Sequence, residues 1–155
     1  MKIRPIKREE IMLLTDFLYE AIYQRTGEAP LPRTVIQEPS LWIYIDNFGS
    51  KKDDHCLVAE VDGFIVGAVW VRCIRAFGHV EDSIPEFAIS VYPQYRGRGI
   101  GRQLMQKMLI LLKENGYQKA SLAVQKDNAA VRLYQRVGFE PYAENDQEYI
   151  MLCNL

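Results

Sequence analysis

The chain has 155 residues, 48% of them hydrophobic and 25% charged, with a formal net charge of −1. That length favours one compact domain, residues 1–155, burying roughly 70% of the surface its unfolded form would expose, and the composition excludes a disordered chain. Near-neutral charge leaves no basic surplus for phosphate neutralisation, which excludes nucleic acid as the principal partner.

In chain order, Ile3 to Ile6 reads as a short strand. From about Arg8, the residues Ile11, Leu14, Phe17, Leu18, Ala21 and Ile22 recur at helical spacing. Three prolines break Gly27 to Pro39, after which Ser40 is placed to cap a shorter helix carrying Leu41, Trp42, Ile45 and Phe48. A hairpin follows: Cys56 to Val61 and Phe64 to Cys73 are rich in β-branched and aromatic residues, and Asp62-Gly63 joins them. Beyond a polar loop, Glu86 to Tyr92 reads as a strand ending at Pro93. A long amphipathic helix then starts at Ile100 and stops at Asn115-Gly116. Ala120 to Val124 is a strand. Asn128 can cap a helix running through Val137, and Phe139 to Ala143 and Tyr149 to Leu152 close the chain as strands. The order β-α-α-β-β-β-α-β-α-β-β predicts an α+β fold on a largely antiparallel sheet, with one parallel crossover around the glycine segment.

No stretch offers a membrane span: the longest apolar or small run, Gly63 to Val71, is far short of ~20 residues. The start, Met1-Lys2-Ile3-Arg4-Pro5, has no signal-peptide core. A cytoplasmic location is expected, with no membrane partner. The cysteines at 56, 73 and 153 form no C-x-x-C pair, and His55 and His79 have no partner at ligand spacing, so no disulfide framework or metal site is predicted.

The chemistry concentrates in Arg96-Gly97-Arg98-Gly99-Ile100-Gly101-Arg102. A strand ends, glycines permit positive φ, and a helix begins, so unpaired amides and the positive end of the helix dipole make an anion site. Three arginines can add charge-assisted contacts to phosphate oxygens. No Lys-Ser or Lys-Thr pair follows, as a P-loop requires, and the G-x-G-x-G spacing lies late in the chain, unlike a dinucleotide fingerprint.

This segment resembles the pyrophosphate motif of the GNAT superfamily of N-acetyltransferases, Gln/Arg-x-x-Gly-x-Gly/Ala, with Arg96, Gly99 and Gly101 at its first, fourth and sixth positions. Asn128 to Phe139 is similar to that family's later motif, Asn-x-x-Ala-x-x-Leu/Phe-Tyr-x-x-x-Gly-Phe, with Val131 at the usual alanine. The resemblance implies a mixed sheet whose central strand carries a bulge and splays from its parallel neighbour, leaving a V-shaped slot for acetyl-CoA. It implies that the backbone of Ile89, Ser90 and Val91 pairs with the pantetheine arm, and that the side chain of Asn128 meets it. It also implies that Gly97, Arg98, Ile100 and Arg102 join the motif glycines at the pyrophosphate. Tyr134 is then the general acid for the departing thiolate.

A protonated amine must lose a proton before it attacks. Glu86, opening the central strand, is the first choice of base, with Glu81, Asp82, His79 or water as alternatives. An N–H near Ile89 or Ser90 would polarise the thioester carbonyl. Tyr19, Tyr23, Trp42, Tyr44 and Phe48 are placed either to wall an acceptor pocket or to pack the core. The implied activity is direct transfer of an acetyl group to a primary amine of a small molecule or peptide. A non-catalytic acyl-CoA sensor of the same fold is the alternative, and a homodimer through the carboxy-terminal strands is possible.

Overall fold

The structure is a computed structural model describing residues 1–155. Seven strands form one sheet in the order β1-β2-β3-β4-β5-β7-β6. The strands are β1 (Lys2–Pro5), β2 (His55–Val61), β3 (Phe64–Arg72), β4 (Glu86–Val91), β5 (Lys119–Gln125), β6 (Phe139–Glu144) and β7 (Glu148–Asn154). The helices are α1 (Leu14–Ala21), α2 (Pro39–Trp42), α3 (Ile100–Glu114) and α4 (Ala130–Val137). Every pairing is antiparallel except β4 with β5. No helix is long and apolar enough to cross a membrane.

Alternation along the strands sends apolar side chains to both faces, and the helices cover both. On one face Phe87, Val91, Leu122 and Val124 pack under Ile100, Leu104, Met105, Met108 and Leu112 of α3. On the other, Val58, Ala68 and Trp70 pack under Leu14, Phe17 and Leu18 of α1 and under Tyr44, Ile45 and Phe48. Each fully buried valine, leucine, isoleucine, phenylalanine or methionine among them contributes about 1.5–3 kcal/mol of transfer free energy.

Two local expectations change. The first helical stretch opens as a 3-10 turn, Arg8–Leu13, before α1. Ser40 does not cap α2: the helix starts one residue earlier, on Pro39, with Glu38 preceding it. Proline has a fixed φ and no N–H to satisfy, so it takes the first helical position and displaces the cap. Ile45 and Phe48 are buried as foreseen, but from a turn beyond the four-residue helix.

Candidate functional site

The parallel pair is where the sheet opens. β4 and β5 share a single register pair, Glu86↔Ser121, with Ser121 N–H donating to Pro85 O at 3.0 Å. Beyond that point the ladder stops and the strands part. The expected bulge is absent from the β3 side of β4, whose register runs unbroken from Arg72↔Glu86 to Gly67↔Val91.

That unbroken register tells which backbone groups face the gap. Tyr92 N–H donates to Val66 O of the preceding hairpin at 2.9 Å, so even-numbered positions turn toward β3. Pro85 O and Val91 O accept from Ser121 N and Arg96 Nε, so odd-numbered positions turn toward β5. The N–H facing the slot is therefore that of Ile89, not Ser90. Ser90 is buried, and its hydroxyl donates to Phe17 O at 2.7 Å.

At the end of β4 the glycine segment turns into α3. Gly97 and Gly99 hold φ of 77° and 80°, and Gly99 is the residue before the helix, with no side-chain cap. The first helical bond is Gln103 N–H to Gly99 O at 3.2 Å, so the N–H groups of Ile100, Gly101 and Arg102 precede it and remain open to an anion. The side chains divide the work unevenly. Ile100 is buried under the sheet, and Val91 is buried with it. Arg96 Nε donates to Val91 O at 2.8 Å, tying the turn to the strand end. Arg98 stacks over Tyr95 at 5.1 Å and donates to Gln94 O. Arg102 is exposed.

The glycines are not equivalent. Gly99→Ala is expected to cost about 1–2 kcal/mol by forcing a side chain into the left-handed region, lowering the melting temperature. At Gly101 the φ is ordinary, and an added Cβ would sit 3.7 Å from Leu133 Cδ2, plain van der Waals contact. Gly101→Ala is expected to keep full stability in the same thermal-shift measurement.

The slot leads into a cavity of about 300 Å³ lined by 17 residues, 14 of them hydrophobic. Ile89, Asn128 and Tyr134 line it, which brings the strand motif and the later motif to one place. Asn128 Oδ1 accepts from Ala130 N–H at 2.9 Å, holding the amide at the cavity wall; the residue immediately before α4 is Ala129, which has no side-chain cap. Tyr134 packs edge-on against Phe139 at 6.4 Å. Burial pushes its phenol up to about 12, with no hydrogen bond contributing. Tyr23 and Tyr44 line the cavity, whereas Tyr19, Trp42 and Phe48 do not. Outside the cavity, Arg25 pairs with Asp127 at 2.7 Å, tying the segment after α1 to the loop before α4.

Glu86, the first choice of base, is not a solvated carboxylate at the strand end. It is 1% exposed and does not line the cavity. Its Oε1 accepts from Tyr44 Oη at 2.7 Å and from Gly78 N–H, while Oε2 is buried without a partner. Desolvation raises this carboxyl above its usual range, and the bonds from Tyr44 and the loop backbone only partly offset that. Ser121 Oγ, at the register-paired position, is also buried and unpartnered. The other acids considered lie elsewhere. Asp82 is tied to Arg75 and His79, which hold it at about 2, and Glu81 is exposed. The single charged residue lining the cavity is Glu148, on β7, raised by desolvation. Nothing in the local sequence Gln147-Glu148-Tyr149 marks it.

Residues 18–139 match the Acetyltransferase (GNAT) family. The chain is 40% identical over 87 residues to the ribosomal protein bS18-alanine N-acetyltransferase of Haemophilus influenzae, covering 49% of this chain and 60% of that one. It therefore spans about three fifths of that relative's length. An N-alpha-acetyltransferase of Sulfurisphaera tokodaii is 32% identical over 114 residues, 63% of this chain and 68% of that one. Among solved structures, the PaiA N-acetyltransferase of Thermoplasma acidophilum in complex with coenzyme A superposes with a TM-score of 0.72 at 18% identity, over 99% of this chain and 98% of that one. The ribosomal-protein-alanine N-acetyltransferase of Brucella melitensis does so with a TM-score of 0.72 at 20% identity, over the whole of both chains.

Proposed function

Because the chain belongs to the Acetyltransferase (GNAT) family, matched over residues 18–139, we propose that it transfers the acetyl group of acetyl-CoA directly to a primary amine of a small molecule or peptide. The observation that carries this reading is the parting of β4 and β5. It opens a slot between the uncapped start of α3 and the cavity that holds Tyr134.

The residues present suit acetyl-CoA, which supplies the activated acetyl thioester. Open amides of Ile100, Gly101 and Arg102, with the exposed Arg102 and Arg98 side chains, meet the pyrophosphate. Gly97 and Gly99 shape the turn that presents those amides. Ile89 N–H, turned into the slot, donates to the thioester carbonyl as negative charge develops there. Asn128 orients the arm, and the Tyr134 hydroxyl donates its proton to the leaving sulfur. None of the three cysteines lines the cavity, and burial together with nearby Asp53 pushes the Cys73 thiol up to about 11. Both facts favour direct transfer over an acetyl-cysteine step.

The names of the relatives suggest the first acceptors to try: a peptide beginning with alanine, after the ribosomal protein enzymes, and spermidine, after another fold neighbour. The test follows free thiol released from acetyl-CoA against these and free lysine. Thiol release that depends on an added amine is the expected result. A thermal shift with acetyl-CoA but no release across the panel would instead make the protein an acyl-CoA sensor.

A further inference from the structure

An incoming ammonium must lose a proton before it attacks, and the cavity wall carries one carboxylate, Glu148. Tyr44 lines the cavity; Glu86 lies behind it, buried, with the Tyr44 hydroxyl donating to Oε1 at 2.7 Å. We infer that Tyr44 and Glu86 form a two-step proton relay, in which Tyr44 touches the acceptor amine and Glu86 stores the proton. This deepens the acetyltransferase reading above and rests on it.

The step balances. A bound R–NH₃⁺ donates to a lone pair on Tyr44 Oη, and the N–H bond breaks as a new O–H bond forms. The phenol's original proton passes along the existing hydrogen bond to the Glu86 carboxylate. The products are R–NH₂, an unchanged phenol and a neutral carboxylic acid, so the ammonium's positive charge and the carboxylate's negative charge cancel and the total charge is unchanged. Tyr44 never becomes a phenolate, which matters because burial and the adjacent Glu86 charge raise its phenol far above the ordinary value.

Three further observations fit a site built for this purpose. The backbone around Tyr44 is held by buried donors from β3: Trp70 Nε1 donates to Tyr44 O at 3.0 Å, and Arg72 Nη1 donates to Ile43 O and Asp46 O at 3.0 and 2.8 Å. Glu86 Oε2 is buried with no hydrogen-bond partner, so the carboxylate keeps unused acceptor capacity. Gly78 donates to Oε1, and an added Cβ there would lie 2.8 Å from that oxygen, so only glycine lets the loop close over the carboxylate. Glu86 burial raises its affinity for a proton, as a terminal acceptor requires. The charged or titratable groups around the pair are His79 beside Glu86 and Glu148 facing Tyr44.

Tyr44→Phe, Glu86→Gln and Glu148→Gln are compared using whichever of the alanine peptide, spermidine or lysine the wild type acetylates fastest. Tyr44→Phe and Glu86→Gln are each expected to lower kcat about 10²-fold at pH 7 with KM for acetyl-CoA unchanged. Their rates should climb toward the wild-type rate as pH rises through the amine's own ionisation, and the double variant should match the singles. Wild-type turnover with an unaltered pH-rate profile in Tyr44→Phe overturns the relay. So does a loss that appears only in Glu148→Gln, which assigns the proton to the wall carboxylate. If Tyr44→Phe no longer shifts with acetyl-CoA, Glu86→Gln alone decides by the same pH criterion. Absence of turnover in the wild type sinks the acetyltransferase reading itself, and the relay with it.

Discussion

Asp54→Ala is expected to destabilise the fold by about 3–5 kcal/mol, lowering the melting temperature by roughly 6–20 °C for a chain of this size. Asp54 and Arg72 form a bidentate pair at 2.9 and 3.1 Å, with side chains 0% and 3% exposed. Asp54 Oδ2 also accepts from the backbone of Gly49 and Lys51, and the Arg72 guanidinium lies over Phe48. Removing the carboxylate strands a guanidinium that cannot lose its charge in a dry site, and that desolvation cost dominates over the lost contacts. The double change Asp54→Leu with Arg72→Met should cost less than Asp54→Ala alone, because no orphaned charge remains. A thermal melt of the three proteins checks the order. Equal stability of Asp54→Ala and wild type would show the pair to be solvated. Arg72 also holds the backbone on both sides of Tyr44, so Asp54→Ala at a temperature where it stays folded should lose turnover beyond what the melt predicts.

This pair and the site it supports mark the limit of what was legible in the sequence. The element order was readable throughout, because each strand and helix writes its period locally. The two motifs that carry the family resemblance were readable for the same reason: Arg96 to Gly101 spans six consecutive positions, and Asn128 to Phe139 is one short helix with its flanks. Asp54 sits in the polar run Lys51-Lys52-Asp53-Asp54, which looks like any solvated loop. Its burial depends on a partner 18 residues away. Glu86 was singled out from its place at the head of the strand. The tyrosine that shields it comes from 42 residues upstream, and the loop glycine that covers it follows no repeat. Glu148 reaches the cavity only because β7 inserts between β5 and β6, a topological fact with no local signature. Arg96 shows the converse: its position in the motif was legible, but its bond back to Val91 O was not.

Tyr134→Phe is expected to lower kcat by 10² to 10⁴ while leaving acetyl-CoA affinity and melting temperature close to wild type. Stability should hold because the ring stays against Phe139 and the hydroxyl has no protein partner to lose. The rate should fall because without that proton the sulfur must leave as a thiolate into a mostly apolar cavity, where an unpaired anion is poorly solvated. Burial pushes the phenol up to about 12, so it remains protonated, and able to donate, across the whole working range. No alkaline limb from this group should therefore appear below about pH 11 in the wild type, and the variant's profile should drop without changing shape. The two tyrosines of the cavity are thus expected to separate by measurement: Tyr44, bonded to a carboxylate, should set how the rate depends on pH, while Tyr134, with no hydrogen-bond partner, should change its height alone. Wild-type kcat in Tyr134→Phe would remove the acid role and leave the leaving group to solvent.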